Sequence, residues 1–184
     1  MMWSLPVAVE IDGKSYKIRN DCDYRVILDV IIALNDEELD MADRVVCALH
    51  IFYENMEEIS DVEKAIVEMT KIINLGENSD DGETKPKVMD WEHDFNQIAP
   101  PISRVLGYDV RTPCKHTHWY TFVGGYMEIG GECTFATIVS IRQKKSRGKK
   151  LDDWEQEFYR ENKKMIDLPH KLTEEELEFL NSDW

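Results

Sequence analysis

The chain has 184 residues, 42% of them hydrophobic, so it can bury the core of one domain or of two small lobes. Its 37 acidic residues against 22 basic ones give a formal net charge of −15, which repels phosphate backbones and argues against generic nucleic-acid binding. The longest apolar stretch, Val26 to Leu34, is interrupted by Asp29 and falls short of the ~20 apolar residues that span a membrane. The N-terminus does not pair a basic region with a long apolar one, so no secretory signal is read and a cytoplasmic protein is expected.

In chain order, the first element reads as a β-hairpin. Val7, Val9 and Ile11 alternate with polar or small residues, Asp12-Gly13 supplies a two-residue type I′ turn, and Tyr16 and Ile18 alternate again. That register sets Val9 opposite Tyr16 and Val7 opposite Ile18, giving one apolar face that must pack on helices. A helix follows the polar Asn20-Asp21, with Tyr24, Ile27, Leu28, Ile31 and Ile32 on one stripe. A second carries Leu39, Ala42, Val45, Val46, Leu49, Phe52 and Tyr53. A third opens at Ser60, with Glu63 completing a capping box, carries Val62, Ile66, Met69, Ile72 and Ile73, and stops near Gly76.

Residues 77–88 are polar and rich in turn formers, and read as a linker between an N-terminal lobe (1–76) and a C-terminal helical lobe (89–184). A helix from Asp90 carries Trp91, Phe95, Ile98, Ile102, Val105 and Leu106, and Pro100-Pro101 should kink or restart it. Further helices are expected at roughly 116–127, 133–142, 152–166 and 173–181, the last opened by a Thr173/Glu176 capping box. The fold class is therefore mostly α: a helical, bundle-like protein in two lobes with an N-terminal β-hairpin.

Sites of chemistry are sparse. Cys22, Cys47, Cys114 and Cys133 form no Cys-x-x-Cys pair, so free buried thiols are expected rather than a zinc ribbon. His116 and His118 are spaced i, i+2, which shares a face on a strand but not on a helix, and no carboxylate sits at a recognised ligand spacing. Asp90 and Asp152 read as helix starts rather than as acid–base groups. Gly124-Gly125 and Gly130-Gly131 are followed by no Gly-Lys-Ser/Thr, so they mark helix ends or close packing. No catalytic residue, metal site or cofactor is expected.

What stands out instead is aromatic density and uneven charge. Trp119, Tyr120, Phe122 and Tyr126, with Trp91, Phe95, Phe52 and Tyr53, are candidates for partner binding, although the helical spacing of the Trp119, Phe122, Val123 and Tyr126 stripe reads first as core and only second as a binding groove. Between Asn35 and Glu63 ten carboxylates face Arg44 alone, and Asp36, Glu37, Glu38 and Asp40 are candidate charged contacts. The opposite charge gathers at Lys144, Lys145, Arg147, Lys149 and Lys150. One copy's basic loop meeting another's acidic region would allow self-association.

Two ordered series of motifs also carry a resemblance. Asp94-Phe95, then Gly107-Tyr108-Asp109-Val110, then His118-Trp119-Tyr120-Thr121-Phe122 follow one another in the second half. Ala48-Leu49-His50-Ile51-Phe52-Tyr53, then Ala65-Ile66, then Ile72-Ile73-Asn74-Leu75-Gly76 precede them. Over roughly residues 39–166 this order resembles the gene-product-fifteen proteins of siphophages, whose genes sit beside the tape-measure gene. Gly and Tyr are swapped at 107–108, and Tyr120 stands where a second Trp is usual. The resemblance implies a non-enzymatic tail-assembly chaperone. Its partner would be the tape-measure protein, with the major tail-tube protein as a further one. It would act in the host cytoplasm and be absent from the mature virion. The rival readings are an acidic inhibitor or decoy for one basic site, and a His/carboxylate metal-dependent enzyme.

Overall fold

The computed structural model describes residues 4–76 and 86–169. The chain is mostly helical with an N-terminal antiparallel hairpin, β1 (Ala8–Ile11) and β2 (Lys14–Lys17). Asp12 and Gly13 both have positive φ, as the Asp-Gly turn requires, and Val9 pairs with Tyr16 as expected. Val9, Ile11 and Ile18 are buried, but Val7 is exposed: it meets Ile18 only through its carbonyl, which accepts from the Ile18 amide at 2.9 Å.

Eight α-helices follow among the described residues: α1 (Tyr24–Leu34), α2 (Met41–Phe52), α3 (Val62–Ile73), α4 (Trp91–Leu106), α5 (Trp119–Met127), α6 (Thr134–Ser146), α7 (Asp153–Glu161) and α8 (Lys163–Ile166). α1 does not start at Asn20-Asp21. Asn20, Asp21 and Cys22 take left-handed φ values of 49°, 51° and 62°, a conformation that Asn and Asp tolerate best, and Asp23 caps the helix. α2 folds back on α1, and α3 lies over β1. α3 is capped by Asp61, whose carboxylate accepts from the Lys64 amide, so the Ser60/Glu63 capping box does not form.

α4 runs unbroken through Pro100 and Pro101, against expectation. The two prolines forfeit only the bonds that would end on the carbonyls of Asn96 and Gln97. Burial of Ile98, Ala99, Pro101 and Ile102 on the same stretch offsets that loss. α4 ends at Gly107 in the left-handed region (φ 77°). Gly125 on α5 meets α4 closely: a Cβ there would lie 3.1 Å from Ile102 and 3.2 Å from Leu106. The segment expected as one helix over 152–166 divides at Asn162 into α7 and α8, and α6 extends to Ser146. The 173–181 helix, its Thr173/Glu176 box and residues 77–85 of the polar segment lie outside the described residues.

The main core draws on both sides of that polar segment. Tyr24, Ile27, Leu49, Phe52 and Met69 join Ile98, Ile102, Trp119 and Phe122 in one buried cluster. A smaller cluster of Ile138, Ile141 and Ile166 sits under Leu151, Phe158 and Tyr159.

A buried ion pair links the two. Asp94 on α4 is fully buried and receives two bonds from Arg142 on α6, at 2.6 and 2.8 Å. Arg142 also donates to the carbonyls of Val88, Met165 and Ile166, at 3.1, 3.0 and 2.5 Å. The second Asp94 partner is the Asp90 amide, at 2.9 Å. Arg142→Met therefore strands a carboxylate in the core, at an expected cost of about 3–5 kcal/mol in urea or guanidinium unfolding. Asp94→Leu/Arg142→Met should recover part of that loss. A single-variant loss under about 1 kcal/mol would show that the pair is not the tie described here.

Candidate functional site

Most of the aromatic candidates build the core. Phe122 stacks on Tyr24 with ring centroids 4.1 Å apart and an interplanar angle of 4°. Trp119 is buried, and its indole Nε1 donates to the Ile73 carbonyl at 3.0 Å, joining α5 to the end of α3. Phe52 and Tyr53 are buried at the end of α2, and the Tyr53 hydroxyl donates to the Ala65 carbonyl at 2.9 Å. Burial pushes the Tyr53 phenol well above its ordinary range. Trp91, Phe95, Tyr120 and Tyr126 are half-buried and pack against this core; Trp91 meets Trp119 edge-on at 6.1 Å and Tyr126 at 5.1 Å. No open groove is formed by Trp119, Phe122, Phe52 and Tyr53, because each faces inward.

The ring at the centre is one that sequence spacing treated as an ordinary stripe member. Tyr24 contacts Phe122 and Phe95, and its hydroxyl donates to the Val110 carbonyl at 3.0 Å. Arg25 beside it donates to the carbonyls of Val110 and Thr112, at 2.8 and 3.1 Å. Asp23 accepts from the Thr117 amide at 3.0 Å. The start of α1 thus holds the 108–118 loop through backbone atoms, which leave no residue-type signal.

Three of the histidines bond backbone groups. His116 Nε2 donates to the carbonyls of Asn20 and Asp21 at 3.2 Å, supporting the left-handed turn. His118 caps α5: Nδ1 accepts from the Tyr120 amide at 3.1 Å, and Nε2 donates to the Pro6 carbonyl at 2.8 Å. Those two bonds require the neutral ring protonated on Nε2. His93 Nε2 donates to the Met165 carbonyl at 3.2 Å. No group of His, Cys, Asp and Glu arranged to hold a metal occurs among the described residues. Asp90 and Asp152 cap α4 and α7, the latter in a full capping box with Glu155, as their sequence context predicts. Of the cysteines only Cys22 is fully buried, with its thiol pushed up to about 12 by burial. Cys47 and Cys114 are exposed, and Cys133 caps α6 through its sulfur.

Charge is less uniform than composition implies. Glu54 and Glu58 pair with Lys17 and Lys14 of the hairpin, at 3.0 and 2.9 Å, and Asp61 pairs with Lys64 at 2.9 Å. Asp36 accepts from the Glu38 amide, and Asp40 caps α2 through the Asp43 amide. Arg44 turns its guanidinium to the Leu39 carbonyl, so it neutralises none of them. Glu37, Glu38, Asp40 and Asp43 are exposed at this α1–α2 corner, next to exposed Met41 and Val46. At the opposite sign, Lys144 pairs with Glu155, and Lys145 pairs with Asp167 at 2.7 Å and lies over the Tyr159 ring. Arg147, Lys149 and Lys150 are exposed and make no ion pair among the described residues.

The family described as bacteriophage Gp15 protein matches residues 1–168. The chain belongs to that family. The match reaches back through the hairpin and α1, further than the sequence motifs from residue 39 onward. No curated protein and no solved structure matches the chain significantly. No helix among the described residues is long and apolar enough to cross a membrane.

Two outcomes follow from this geometry. Trp119→Ala should destabilise the fold by about 3–5 kcal/mol, read from urea midpoints, because it empties a buried indole site. An unchanged melting temperature would contradict the core placement. Burial lowers the His118 pKa below its ordinary value of 6.5. Unfolded chains therefore take up a proton first as pH falls, so the stability His118 contributes is full above about pH 6.5 and is lost as pH falls through the folded value. His118→Asn keeps a capping oxygen without a titrating group. Its unfolding free energy should fall less than the wild type's between pH 7 and pH 5, and parallel curves would refute the assignment.

Proposed function

We propose that the chain is a phage tail-assembly chaperone that binds the tape-measure protein and keeps it soluble until tail-tube subunits polymerise around it. The observation that carries this reading is the family match over residues 1–168, which assigns the chain to bacteriophage proteins. The surface supports a binding role: Glu38, Asp40 and Asp43 are exposed at the α1–α2 corner beside exposed Met41 and Val46.

A tape-measure protein is a long helical chain whose apolar stripes aggregate before the tube encloses them. Copies of a soluble acidic protein cover such stripes, each weakly, and gain avidity along the chain. The α1–α2 corner offers Met41 and Val46 for apolar contact, with Glu38, Asp40 and Asp43 for basic side chains around it. The buried aromatic residues act indirectly, by fixing the start of α1 against α4 and α5. The working place is the host cytoplasm, and tail-tube subunits displace the chaperone before the virion is complete.

Co-expression tests the reading. The cognate tape-measure protein should stay soluble and co-purify with several copies of this chain. Part of the attraction is ionic, so retention should fall as salt rises from 0.1 M to 1 M and the screening length drops from ~10 Å to ~3 Å. It should not vanish, because apolar burial persists in salt. Glu38→Lys/Asp43→Lys should reduce retention while circular dichroism shows the chain still folded. If the tape-measure protein precipitates equally with and without this chain, and no complex forms at low salt, the proposal fails. A single copy bound to a short basic protein would instead favour an acidic decoy.

A further inference from the structure

Five cations cluster at the end of α6 and the turn that follows, but the fold uses only two. Lys144 and Lys145 are taken up by Glu155 and Asp167. Arg147, Lys149 and Lys150 remain exposed around Gly148, whose φ of 63° turns the chain outward from α6. Four residues beyond Lys150, Trp154 is 59% exposed, although it is the largest side-chain type. It stacks on Phe158 one helical turn later, with centroids 5.5 Å apart and an interplanar angle of 24°. An exposed indole beside unpaired cations has the composition of an interface centre: tryptophan and arginine dominate the residues whose loss weakens protein complexes.

The complementary composition is on the same chain. The α1–α2 corner carries exposed Glu38, Asp40 and Asp43, with Met41 72% and Val46 50% exposed. No ion pair joins the two patches within one chain among the described residues. The chain is otherwise acidic, at −15, so two copies repel unless the basic turn of one meets the acidic corner of the other. We infer that a second copy of the chain is the occupant: the Arg147–Trp154 turn of one molecule seats on the Glu38–Val46 corner of the next. The two surfaces differ, so the contact is head to tail. It leaves one free patch of each kind at the ends, and it grows into an open chain or closes into a ring. This inference does not rest on the chaperone reading, since self-association needs no tape-measure protein; the two partners would compete for the same corner, so the head-to-tail contact belongs to the chain before a tape-measure protein is bound.

The test uses the full-length protein and two charge-reversed variants. One is Arg147→Glu/Lys149→Glu/Lys150→Glu; the other is Glu38→Lys/Asp43→Lys, which leaves the Asp40 cap in place. All substituted positions are exposed and the Asp40 cap is kept, so circular dichroism should match the wild type, and the melting temperature should fall by only a few degrees for the variant that removes Asp43 from the first turn of α2. In sedimentation at 0.1 M salt the wild-type weight-average mass should rise about twofold or more with concentration, as a head-to-tail contact requires, and return to monomer at 1 M salt. Each variant alone should stay monomeric. An equimolar mixture of the two should associate again, because the unaltered corner of the first meets the unaltered turn of the second, and the two reversed patches attract in turn. A wild type that is monomeric at every concentration overturns the inference. So does association that either variant retains alone, or two monomeric variants that stay monomeric when mixed. Solubilisation of the tape-measure protein is read separately, so its failure leaves this result standing.

Discussion

The salt bridge between Asp94 and Arg142 is the constraint on which the arrangement of the second half depends. A carboxylate with no exposure and a guanidinium 6% exposed at its side chain persist only when both are fully bonded. Here Arg142 uses its planar fork on the carboxylate and its remaining donors on three carbonyls. Those carbonyls come from the segment before α4 and from α8. One side chain therefore fixes α4, α6 and α8 relative to one another, and joins the small Ile138–Ile141–Ile166 cluster to the main core.

The other half is ordered by a parallel logic with different chemistry. Tyr24 stacks on Phe122, while Asp23 and Arg25 on either side bond the backbone of the 108–118 loop. Stacked rings add geometry to apolar burial, and the charged groups supply the partners that loop backbone needs once it leaves water. The left-handed Asn20–Cys22 turn is tolerated because His116 and the start of α1 hold it. Together these contacts commit Tyr24, Phe122 and Trp119 to the interior, while Trp154 stays exposed. What remains for partners is the charged surface, where the fold has consumed some charges and left others.

This division bears on the proposed role. A protein that covers a long partner in many copies gains from a rigid interior and from weak, repeated surface contacts. The acidic α1–α2 corner and the basic α6–α7 turn are both surface features beside exposed apolar residues. Contacts made there are sensitive to salt and readily displaced, which suits a transient assembly factor better than a permanent structural subunit.

The hairpin with its Asp-Gly turn and register, the helical class, the caps at Asp90 and Asp152, and the ordered motifs that mark the family were all legible in the residues alone. These are local: each follows from a periodicity, a turn chemistry or a spacing within a few residues. The tertiary structure decided what local pattern does not encode. Asp94 reads as one of several acids near a helix start, and only its partner 48 residues away makes it a core residue. Pro100-Pro101 reads as a break, and only the packing around Ile98 and Ile102 carries α4 through it. The aromatic segments offer both core and partner surface, with core the first reading of the Trp119 stripe, because ring size sets how much area is buried but not against what. Which cations remain unpaired was equally hidden, since pairing of Lys144 and Lys145 depends on where α7 and α8 come to rest.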